Sequence, residues 1–263
     1  MILLKEVYFS LCMFGAQALT GYAHSYTIIT AHEDRKMSTV TQQWNPWQKE
    51  LSQLLSSPDK FDEAMFFCAR MHNEVHDIGK KSSPTIFQSL LKNLAPEAIG
   101  YRPEKSFSSI AWNIWHITRI EDAIANILIA DADQVLNKEW LDKMNVKITD
   151  TGNAFTRADV DALDGRINAK ELLNYRKAVG KNTQKVLKNI RAVDKKRKPT
   201  PERLKRIVSE KVLTKEPDSI WLLDFWKGKT IAGLLTMPIT RHQIVHINDC
   251  FKLKERYQKN TAR

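Results

Sequence analysis

A stretch that is apolar on two opposite helical faces limits the fold of this chain more than any other feature. Between Ile110 and Ala130 one stripe at helical spacing reads Trp112, His116, Ile120, Ala123 and Ile127, and the other face reads Ile110, Ile114, Ile117, Ile124 and Leu128. A helix apolar around most of its circumference cannot sit on a surface and has to be enclosed by other elements. The rest of the chain supplies helices to enclose it. Phe61, Ala64, Met65, Cys68, Met71 and Val75 keep three-to-four spacing, Pro84 interrupts, and helical character resumes over Phe87, Leu90, Leu91 and Leu94. A third long helix is predicted from about Ala169 to Ile190 and a short one opened by Pro201. The last begins near Thr230 and passes Pro238, which implies a kink or a helix start there. Strand alternation and internal repeats are lacking, so an all-α bundle is expected. The mixed segment from Asp131 to Asp159, with a turn at Gly152-Asn153, serves as a long crossover.

Three histidines ride on the inward faces. His242 and His246 lie four positions apart in TRHQIVHIND, on the stripe Leu235, Ile239, His242, His246, Leu253, so one helix carries two imidazoles toward the core. His116 is carried inward by the helix of two apolar faces. A buried imidazole without a partner costs on the order of 1–3 kcal/mol. The pattern leaves two readings open: a shared metal ion, or core rings each hydrogen-bonded to a carbonyl or carboxylate. His72 and His76 in RMHNEVHDIG form a further i, i+4 pair, read as an exposed polar edge in preference to substrate contacts or proton shuttles. Glu121 and Asp122 are too close to His116 to stack beneath it, and are candidates to orient a ligand from a neighbouring helix.

Composition narrows the function classes. The 263 residues are 43% hydrophobic and 27% charged, ordinary for one globular domain. Cys12, Cys68 and Cys250 have no disulfide, zinc-ribbon or redox spacing, which points to a reducing, cytoplasmic setting; Cys250 reads as a small core residue. Much of the net charge of +11 falls between Asp194 and Arg206 and in the tail from Lys252. Neither stretch has the interleaved aromatics of a nucleic-acid reader, so a solvated face is the better reading and nucleic acid is not an expected partner. The stretch Asp159 to Glu171 imitates a calcium loop, but with Gly165 at its sixth position Val160 and Ala162 stand where carboxylates are needed, and a capped helix start is expected instead. Residues 1–36 are expected to lie outside the fold, either as a signal-like segment or, the favoured reading, because translation starts at Met37. The segment is too short and polar for a convincing membrane span. The expected layout is a lead-in over 37–60, the bundle over 61–257 and a basic tail over 258–263.

Two motifs, the serine-led SFSSIAWNIWHITRIED and the terminal RHQIVHIND after FWKGKT, resemble the DinB-like (damage-inducible) superfamily over roughly Phe61 to Leu253. The resemblance implies a four-helix bundle, up-down-down-up, with a long crossover and short accessory helices. In that family one histidine of the second bundle helix and two of the fourth hold a divalent metal, and by position these are His116, His242 and His246. Imidazole ligands suit zinc or nickel, with iron also allowed. The chain departs from the frequent family ending, a glycine-glutamine after the last histidine, by carrying Ile247-Asn248-Asp249. The implied activity is a metal-dependent transfer of a low-molecular-weight thiol to an electrophile, or a hydrolysis; the alternative is a non-catalytic, metal-stabilised bundle binding a small ligand or nucleic acid. A small-molecule substrate is the expected partner, no membrane is involved, and a homodimer is compatible.

Overall fold

A computed structural model describes residues 39–78, 83–104 and 106–262. The segment 1–36 lies outside the described residues. Described in chain order, helix α1 spans Val40–Ser56, α2 Phe61–Glu74, α3 Ile86–Leu91, α4 Pro96–Ile99 and α5 Ile110–Ala123, which continues as a π-helical turn, Ile124–Ala130. The crossover carries α6, Lys138–Met144, and α7, Arg157–Asp164. Then come α8, Ala169–Asn189, α9, Pro201–Ser209, α10, Pro217–Lys227, and α11, Ile231–Thr236, which runs through a second π-helical turn, Met237–Arg241, into α12, His242–Thr261. No strand occurs among the described residues.

Side-chain pairs give the helix directions. Arg119 meets Tyr175 and Asn126 meets Asn182, so α5 and α8 run parallel. Asn113 meets His246 and Ile117 meets Gln243, so α12 is antiparallel to α5. Ala69 meets Gln184 and Val75 meets Arg176, so α2 is antiparallel to α8. The bundle of α2, α5, α8 and α12 is therefore up-down-down-up, and the parallel middle pair is what requires a long crossover. Every residue of α5 is buried, as its two apolar faces predict.

The amino-terminal boundary differs from the sequence reading. Residues 40–56 are a bundle-packed helix, with Trp44, Leu51, Leu54 and Leu55 buried against the core. A capping box closes its start, Thr39 accepting from the Gln42 amide and Gln42 reaching back. Polar glutamines and Pro46 dilute its apolar stripe, and packing rather than propensity holds it.

Helix ends follow their local chemistry. Ser109 caps α5 by accepting from the Trp112 amide, and its own hydroxyl donates to Asp164 at 2.6 Å. The calcium-like stretch is the end of α7 at Gly165 followed by the start of α8, where Asn168 accepts from the Glu171 amide. Pro238 lacks an N–H, and the helical ladder beside it is repaired by side chains: Thr240 donates to the Leu235 carbonyl and Gln48 of α1 to that of Thr236. The resulting π turn ends where His242 begins, so it sets the angle at which α12 delivers its histidines.

The basic run is less solvated than its composition implies. Arg203 donates to the carbonyls of Leu128 and Ile129, Arg197 to Ile129, and Arg206 to Ala132, with Asp131 and Asp133 alongside. Three arginines thus neutralise the carboxyl end of the central helix, where the dipole favours cations.

Candidate metal centre

His116 of α5 and His242 and His246 of α12 converge, and their ligand nitrogens all lie within 4.8 Å of one another. The Nε2 atoms of His116 and His242 are 3.2 Å apart. Bonds of about 2.0–2.1 Å in a tetrahedral shell would put two nitrogens ~3.3 Å apart, so this pair already has the spacing of two ligands on one ion. All three rings are buried. Burial, together with the charge of neighbouring rings, holds His116 and His242 well below the ordinary imidazole range, and burial pushes His246 down to about 4. At neutral pH the rings are uncharged, the form in which imidazole binds a cation.

The back of each ring decides whether its lone pair faces the centre. His116 Nδ1 donates to the Thr151 carbonyl at 2.8 Å, which leaves Nε2 unprotonated. His246 Nδ1 donates at 2.7 Å to Asn113 Oδ1. The Asn113 amide cannot reverse freely, because its Nδ2 donates to the Ser109 carbonyl at 2.7 Å. The Thr151 carbonyl belongs to a strap, residues 149–152, laid along α5. Its four successive carbonyls accept from Arg119, Trp115, His116 and Trp112. Gly152 sits at φ +72°, and a Cβ there would meet Trp112 Nε1 at 3.0 Å. Trp112 in turn stacks flat on His116, with ring centroids 4.8 Å apart and 8° between planes.

A second buried cluster stands one and a half turns further along α5. His72 Nε2 and His76 Nε2 meet the two oxygens of Glu121 at 2.7 and 2.8 Å, and all three side chains are fully enclosed. The pair is therefore no exposed edge: the last turn of α2 brings His72, and the bend that follows it brings His76, onto α5. Glu121 accordingly orients His72 and His76 and none of the three converging histidines. Burial alone would raise its carboxyl, but the facing His76 and His72 outweigh burial and hold it well below the usual carboxylate range. Burial pushes His76 down to about 3, against the pull of Glu121. This cluster differs from the first at the back of the ring. Gln184 Nε2, which also donates to the Ala69 carbonyl, points a donor at His72 Nδ1 at 2.8 Å. His72 must accept there, so its Nε2 carries the proton and donates to Glu121. That tautomer satisfies a carboxylate and has no lone pair for a metal.

Asp122 also has other work. It accepts from Tyr175 at 2.6 Å and from the amides of Val135 and Leu136, tying the crossover to α5. Cys250 is a core residue whose thiol is pushed up by burial. No Cys, Asp or Glu among the described residues joins the three histidines. Asn113, the Thr151 carbonyl and the Glu121 cluster were missed by sequence reasoning. Asn113 did leave a signal, being a polar residue inside a segment that must be buried on all sides. A backbone carbonyl leaves none.

Fold and site together define an up-down-down-up helical bundle with a buried three-histidine cluster able to hold a divalent cation. The chain belongs to the DinB superfamily, whose sequence model matches residues 81–213. The match spans His116 and the crossover, whereas His242 and His246 lie beyond it and are brought to His116 by the fold. Comparison with curated proteins gave no match. Among the described residues no helix is long and apolar enough to cross a membrane.

Proposed function

We propose that this chain holds one divalent ion, zinc or nickel by ligand type, on His116, His242 and His246, and that it transfers a low-molecular-weight thiol to an electrophile. The observation that carries the metal reading is the pairing of acceptors behind the rings: Thr151 and Asn113 leave two Nε2 lone pairs directed into one space. A divalent ion with vacant positions lowers the pKa of a coordinated water or thiol toward neutrality. The residues around the site favour the thiol over water. The two carboxylates that follow His116 on α5, Glu121 and Asp122, are occupied elsewhere, and Asp249, three residues beyond His246, pairs with Lys252 at the surface. A hydrolase needs a group to take a proton from water, whereas a thiol ionises more readily and brings its own nucleophile. Trp112, packed against His116 and His246, supplies an apolar wall.

Purified protein is expected to carry about one divalent ion per chain by mass spectrometry, and His116→Ala, His242→Ala and His246→Ala are each expected to lose most of it while remaining folded, since the bundle rests on apolar stripes. Equal metal in all four proteins would return the histidines to core roles. Screening the loaded protein with small thiols and model electrophiles, against ester and amide substrates, tests the reaction.

A further inference from the structure

Two buried three-residue clusters share α5, and the group behind each ring separates them. We infer that Asn113 is the positioning residue that makes His246 a metal ligand. The inference rests on the proposed three-histidine centre. A neutral imidazole has one N–H and one lone pair, so a neighbour that accepts from Nδ1 directs the lone pair of Nε2 outward. Asn113 Oδ1 does this at 2.7 Å, and the Ser109 carbonyl, accepting from Asn113 Nδ2, keeps that oxygen turned toward His246. Ser109 is itself fixed as the cap of α5 and by its bond to Asp164. The orientation of a ring on α12 is thus decided by the first turn of α5.

The Glu121 cluster is an internal comparison. It has two histidines and a carboxylate, a set that suits a metal by composition. Yet Gln184 presents its amide nitrogen where Asn113 presents its oxygen, and His72 is left as a donor. Amides of the same chemistry, turned opposite ways by the carbonyls of Ala69 and Ser109, give the two clusters opposite tautomers. Asn113 acts through His246, in the way that partners behind a ligand fix its ring and basicity.

Three variants of the full chain test this. Asn113→Leu keeps the branched shape but removes the acceptor, Asn113→Asp keeps an acceptor at Oδ1, and Gln184→Leu is the control at the other cluster. Zinc affinity is read by competition with a chromophoric chelator. The His246 tautomer is read in metal-free protein from long-range proton–nitrogen NMR correlations. Asn113→Leu is expected to weaken zinc about 10–100-fold and to lose the Nδ1–H tautomer. Asn113→Asp is expected to retain both, although its melting temperature falls because its second oxygen faces the Ser109 carbonyl. Gln184→Leu is expected to leave zinc affinity unchanged. Wild-type affinity and an unaltered tautomer in Asn113→Leu would overturn the inference, as would equal loss in the leucine and aspartate variants. Zinc binding by His246→Ala equal to that of wild type would instead defeat the three-histidine site, and the metal-free spectra would still report what Asn113 does to the ring.

Discussion

Replacing Gly180 by alanine is expected to destabilise the protein, although the usual effect of that change within a helix is the reverse. Gly180 lies inside α8, where alanine ordinarily stabilises by about 1 kcal/mol. Here a Cβ would stand 2.8 Å from both Cγ and Cε1 of His76 and closer still to Nδ1. The ring cannot yield cheaply, because its Nε2 is bonded to Glu121 at 2.8 Å and the whole cluster is enclosed. If it stays, the overpacking costs about 1–3 kcal/mol. If it swings away, a buried carboxylate loses a donor, at about 1–3 kcal/mol. Taking the middle of either range and subtracting the gain in propensity leaves a net loss of about 1 kcal/mol. The more decisive quantity is the coupling. In a His76→Ala background the obstacle is gone, so Gly180→Ala should stabilise by about 1 kcal/mol, and the interaction energy of the cycle should be about 2 kcal/mol. Urea unfolding of the four proteins measures it. A Gly180→Ala protein more stable than wild type, or a cycle with no coupling, would show that His76 does not occupy the space beside Gly180. Bound metal should be unchanged throughout, since no ligand is touched.

Two further predictions follow from burial and charge. Leu51→Ala in α1 should cost about 2–5 kcal/mol, because Leu51 is fully buried; a loss below about 1 kcal/mol would make residues 40–56 the lead-in that the sequence suggested. Metal-free protein should lose stability as pH falls below about 6.5, because His76 and His246 are held down to about 3 and about 4 and refuse protons that the unfolded chain takes up. Each such histidine contributes a slope of about 1.4 kcal/mol per pH unit. Asp164, pushed up to about 6 by burial, opposes them as it gains a proton in the folded state. Denaturant midpoints between pH 7 and pH 4 that do not fall would refute the neutral burial of these rings.

Much of the architecture could be read from one dimension because helical periodicity is local. The two apolar faces of residues 110–130 required a central helix. The i, i+4 spacing of His242 and His246 put both rings on one side, and Pro201 marked a helix start by its fixed backbone. Other features depend on partners remote in sequence. Whether residues 40–56 belong to the bundle is decided by the surface they cover. His72 and His76 have the same spacing as His242 and His246, yet the first pair meets a carboxylate and the second another imidazole, because α5 presents Glu121 at one level and His116 at another. The sequence holds the rings, and spacing can place two on a face. Which nitrogen of each ring carries the proton is settled by an amide or a carbonyl, from Asn113, Thr151 or Gln184, that only the packed bundle brings within hydrogen-bonding distance.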